Sequence, residues 1–68
     1  MGFCWPDQRH LFCKNLRKTI DAELDAIERY SRLAKLAPNE KARHSILRIR
    51  SETMYRVYCL EKMMNRYC

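Results

Sequence analysis

Two side chains of this sequence have the types and spacing for metal chemistry: Glu23 and Glu52. Steps of three and four residues outward from Glu23 collect Cys13, Leu16, Ile20, Ile27, Tyr30, Ala34 and Ala37, with Leu24 widening the stripe. On a helix these residues form one apolar face, and Glu23 puts a carboxylate in its middle. Such a charge, once desolvated, is unfavourable by several kcal/mol unless an opposite charge compensates it. Hard or borderline cations such as iron or manganese do so through oxygen ligands. A guanidinium does so too. Arg48, Arg50 and Arg56 are the candidates, with Arg48 and Arg56 one helical turn either side of Glu52.

The elements that must position these groups follow from what interrupts the chain. Gly2 is the only glycine of the 68 residues, and the prolines are Pro6 and Pro38, so the reading is all-α. Helix 1 is expected over about residues 7–36, with Pro6 at a position helices tolerate and Asp7 as a cap. Pro38 disfavours helix at Ala37, and Asn39 followed by Glu40 is a good start for a second helix. The hinge is therefore 37–39 and helix 2 covers about 40–67. A connection this short makes a single-domain antiparallel hairpin. On helix 2 the apolar face comprises Ile46, Ile49, Thr53, Val57, Leu60, Met64 and Tyr67, led by Ala42 and flanked by Met63.

Residues with numbers adding to about 75 share a level in such a hairpin, which puts Glu23 beside Glu52. The faces are too broad for two helices to cover, and a chain below about 70 residues seldom builds a sufficient core alone. Dimerisation into a four-helix bundle completes it and brings four carboxylates to mid-bundle.

Glu23, Ala26 and Tyr30 reproduce the Glu-x-x-Ala-x-x-x-Tyr signature of rubrerythrin-like and other ferritin-like proteins, and "ILRIRSETMY" resembles the segment that carries Glu-x-x-His in that family. The resemblance spans roughly residues 16 to 60, half of a ferritin-like bundle, and is greatest to half-length members such as encapsulated ferritin-type proteins. It implies a homodimer holding iron, as a di-iron centre, or manganese, with oxidation of Fe(II) as the associated activity. It further implies Glu23 and Glu52 as metal ligands and Tyr30 as a hydrogen-bond donor to a ligating carboxylate. Tyr55 stands where that family has histidine. This departure leaves a second reading, a dimeric helical interaction module that has lost its metal.

Cys4 and Cys13 are nine apart, as are Cys59 and Cys68. Levels in the hairpin pair Cys13 with Cys59 and Cys4 with Cys68, as in the twin-cysteine hairpins of mitochondria, which this arrangement resembles with different spacings. Nine residues is half a turn out of phase, so both pairs face inward only if one end, around "FCWP", is not helical. Free thiols are the first reading and a disulfide the second, and thiolate ligation of one ion is opposed by the roughly 13 Å rise between levels.

The formal charge is +6, from 14 Lys and Arg against 8 Asp and Glu. Spread along both halves, it reads first as a solvated surface, with Asp21, Asp25 and Glu28 facing Arg48 and Arg50. An RNA or anionic-membrane adaptor is the third reading. His10 and His44 read as surface residues. The opening "MGFCWPDQRH" lacks the apolar run of a secretory signal. No stretch approaches the about 20 apolar residues of a membrane span. A cytoplasmic location with mostly reduced cysteines is expected.

Overall fold

The structure, a computed structural model, describes the backbone of residues 5–68 and the side chains from residue 8 onward. Two helices account for nearly all of it: α1, Trp5–Lys35, and α2, Glu40–Tyr67. They lie antiparallel and give a rod 56 × 16 × 15 Å in extent. Trp5 and Pro6 are helical, so α1 starts slightly before the expected boundary. Phe3 and Cys4 lie outside the described residues, as does the side chain of Asp7.

Local chemistry sets the hinge. The end of α1 tightens into hydrogen bonds of i to i−3 type, Leu36 N to Leu33 O at 3.0 Å and Ala37 N to Ala34 O at 3.3 Å. Pro38 follows. Asn39 is extended, at φ −157° and ψ 173°, and its Oδ1 accepts a 2.8 Å bond from Ala42 N. That bond satisfies one of the free amides at the start of α2, and Glu40 meets the positive end of the helix dipole. Glu40 also pairs with Arg43, whose Nη2 lies 2.7 Å from Oε2.

The core is small. Leu16 and Ile20 of α1 pack with Val57 of α2, and Ile27, Leu60 and Met64 close around them. Each fully buried side chain of this kind contributes about 1.5–3 kcal/mol. Among the described residues Thr53, at 0 % exposure, is the most buried, its hydroxyl donating 3.0 Å to Ile49 O. Ala34 lets the helices approach near the hinge. Much of each apolar face stays uncovered: Phe12, Leu24, Ile49, Met63 and Tyr67 remain between 39 % and 48 % exposed.

Several expected partners change. Asp25 pairs with Arg29 on its own helix at 3.1 Å rather than across the hairpin. Arg50 Nη1 donates 2.9 Å to the Ser31 hydroxyl. Among the described residues, Asp21, Glu28 and Arg48 make no ion pair.

The cysteines differ most. Cys13 is joined to Cys68, with Cα atoms 6.0 Å apart, and Cys59 is a half-buried free thiol. The expected Cys13–Cys59 pair is thus replaced, and Cys68 is taken from Cys4, which lies outside the described residues. The phase problem is the cause: Cys59 and Cys68 lie half a turn apart on α2, so only one of them can face Cys13. Reduced thiols at Cys13 and Cys68 are likewise corrected to a disulfide.

Candidate functional site

Arg56 organises the centre of the hairpin. Its Nε donates to Glu23 Oε2 at 2.8 Å and its Nη2 to Glu23 Oε1 at 3.2 Å, a two-pronged grip on the carboxylate. Nη2 also donates 3.0 Å to the hydroxyl of the buried Thr53. These bonds use Nε–H and both protons of Nη2, which leaves the two protons of Nη1 for another acceptor. The Glu23 side chain is 21 % exposed and that of Arg56 52 %.

The electrostatics agree. Hydrogen bonds from Arg56, reinforced by its charge, hold the Glu23 carboxyl below its ordinary value of 4.5 against the opposing effect of burial. Arg56 is in turn held more firmly protonated, chiefly by its bonds to Glu23 and also by charge interactions with Glu23, Tyr30 and Glu52. Of the residues nominated from sequence, Glu23 is the one bonded to this guanidinium.

Glu23 meets Arg56, one of the three guanidiniums the sequence offers as its counter-charge, one turn beyond Glu52. Side chains on a helix lean toward its N-terminus. In an antiparallel pair, α1 side chains lean away from the hinge and α2 side chains toward it. An α1 side chain consequently meets an α2 partner whose Cα lies further from the hinge than its own. Glu52 is exposed. Tyr55, 66 % exposed, stands beside Tyr58 with ring centroids 6.2 Å apart. The Cys59 thiol beside it holds the Tyr55 phenol above its ordinary value. The pair three apart on α2 that faces Glu23 is Thr53 and Arg56, and sequence reasoning placed Thr53 only as core. The N-terminal lean of the side chains was the available signal.

These residues do not fit an ion within one chain. Both Glu23 oxygens already accept from Arg56, and among the described residues no three His, Cys, Asp or Glu side chains gather where an ion could be held. His10 and His44 are exposed, the latter 3.5 Å from Glu40.

Around the ion pair the surface is apolar. Thr19, Tyr55, Cys59, Leu60 and Met63 line a shallow groove of about 310 Å³ beside Glu23 and Arg56. Toward the open end, Phe12 and Tyr67 meet edge to face at 6.3 Å. With Gln8 and Arg9 they line a second groove of about 300 Å³. Phe12, Thr19, Glu23, Ala26 and Tyr30 share one side of α1 by spacing, as Ile49, Arg56, Met63 and Tyr67 share one side of α2. Together they make one continuous face. No known protein family, curated protein or solved structure matches the chain. No helix of the described residues is long and apolar enough to cross a membrane.

Proposed function

We propose that this chain is a helical interaction module that works as a pair, two hairpins joined through the Glu23–Arg56 face into a four-helix bundle of ferritin-like form. The supporting observation is an apolar face whose one central carboxylate already carries its own counter-ion. Burying such a face leaves no uncompensated charge, the condition that makes an ionised group tolerable in an interface. The face is also self-complementary. About a two-fold axis near Arg56, the unused Nη1 donors of one chain meet the Glu23 carboxylate of the other. In this reading Arg56 supplies the positive charge that iron or manganese supplies between carboxylates elsewhere. The Cys13–Cys68 bond favours a compartment that keeps disulfides oxidised over the cytosol.

The competing metal reading needs Glu23 and Glu52 of two chains to gather around iron or manganese, with Tyr30 in support and Arg56 displaced. What favours it is the half-buried carboxylate of Glu23 on the face that two chains would share.

One experiment separates the two. Molar mass by light scattering across a concentration series, with metal content measured after growth with and without added Fe(II), is expected to give a metal-free pair of chains. Met63→Glu is expected to separate the pair without loss of helix. A single chain at every concentration overturns the proposal. Stoichiometric iron or manganese that disappears in Glu23→Ala transfers it to the metal reading. RNA binding that persists at physiological salt would move it to the third class.

A further inference from the structure

The Cys13–Cys68 bond sits where the hairpin is otherwise most weakly held. In the last eight residues of the chain only Met64 is half-buried, and all the others are exposed. Among the described residues, the ties there beyond the disulfide are an Arg9 Nε bond to Tyr67 O at 2.8 Å and the Phe12–Tyr67 ring contact. A helix end with so few buried apolar contacts opens locally at low free energy once a covalent restraint is removed.

The bond is also placed to be reduced. It borders a groove of about 310 Å³ lined by His10, Lys14, Arg17 and Met64 as well as by the two cysteines. Cys68 is exposed and Cys13 half-buried, so an incoming thiolate has access to the Cys68 sulfur. The cations Lys14 and Arg17 favour both the approach of that thiolate and the departure of the Cys13 thiolate.

We propose that Cys13–Cys68 is a redox clasp whose reduction releases the last two turns of α2 and with them the Phe12–Tyr67 end of the self-association face. The reductant is a dithiol. One of its sulfurs forms a mixed disulfide with Cys68 as Cys13 leaves as thiolate and takes up a proton. Its second sulfur then attacks the first, releasing Cys68 as a thiol. Net, two electrons and two protons pass to the protein and the dithiol becomes a disulfide. The effect on chain pairing rests on the two-chain reading, whereas the effect on α2 does not.

The test uses the full chain carrying Cys59→Ser, so that only this pair is redox-active, and dithiothreitol as the dithiol. Residue-by-residue ¹³Cα shifts and molar mass are read in both states. Reduction is expected to bring the helical shifts of residues 61–67 to less than half their oxidised size while residues 44–57 keep theirs. It is also expected to convert paired chains to single ones. Lys14→Glu with Arg17→Glu is expected to slow reduction at least threefold. Unchanged shifts at 61–67 overturn the clasp, and so does loss of helix along the whole chain, which marks the bond as a structural staple. An oxidised protein that is already a single chain sinks the two-chain reading alone, because the shifts still judge the clasp.

Discussion

The two ends of the hairpin are held by different means. At the hinge, Pro38 and the Asn39 cap turn the chain within a few residues, and covalent continuity keeps α1 and α2 adjacent whatever their side chains do. Leu36 can therefore stay 79 % exposed there. The open end lies roughly 40 Å away at 1.5 Å per residue, too far for the turn to restrain it. The core lies toward that end: Leu16, Ile20 and Val57, ringed by Ile27, Leu60 and Met64, with the Cys13–Cys68 bond beyond. Past Met64 the buried contacts run out, and the cross-link takes over where connectivity no longer opposes separation, as expected when loop closure is unfavourable in proportion to the logarithm of loop length.

The largest expected effect comes from breaking the open end. Replacing both Cys13 and Cys68 by serine removes a cross-link spanning 55 residues. Urea unfolding is expected to show a loss of up to about 4 kcal/mol by the chain-entropy relation. Next is the core beside it. Leu16→Ala is expected to lower stability by about 3 kcal/mol, as for other buried leucines, whereas Leu36→Ala at the hinge changes it by less than about 0.5 kcal/mol. Equal losses in the two variants would erase the contrast between the ends.

Smaller still, Asn39→Ala removes the cap bond to Ala42 N and is expected to destabilise by about 1 kcal/mol. Its thermal midpoint should fall less than that of the serine double variant. The smallest effect lies between the ends and depends on pH. The Glu23 carboxyl is held below 4.5 in the folded chain, chiefly by hydrogen bonds from Arg56. Its contribution is therefore complete above the unfolded value and is lost as pH falls through the folded one. Glu40, lowered by its hydrogen bonds from Arg43, adds to the same slope. Melting temperature is expected to decline below pH about 4.5, and less steeply in Arg56→Gln. Parallel acid limbs would show that the central pair adds nothing measurable.

Much of the fold was legible because helices advertise themselves through periodicity and interruption. Pro38 and Asn39 located the hinge to within a residue, and the three-and-four spacing placed Leu16, Ile20, Thr53 and Val57 on the facing sides. The surplus of apolar surface was legible too, since Leu24, Ile49 and Met63 stay partly exposed as the breadth of the stripes required. Partner identities were harder to read. Arg56 was one of three guanidiniums the sequence offered Glu23, and the chain makes that pair; the level count set Cys13 near Cys59, whereas the chain joins it to Cys68.

Sequence alone determined the two helices, their antiparallel course and the angular position of Glu23 on a facing stripe, because residue order fixes angle around a helix axis. Tertiary structure decided which group meets Glu23 and which cysteine closes the open end. Those choices depend on axial offset between two helices whose side chains lean in opposite directions, and on which half-turn of α2 faces α1. Neither quantity is carried by the period of either helix taken separately.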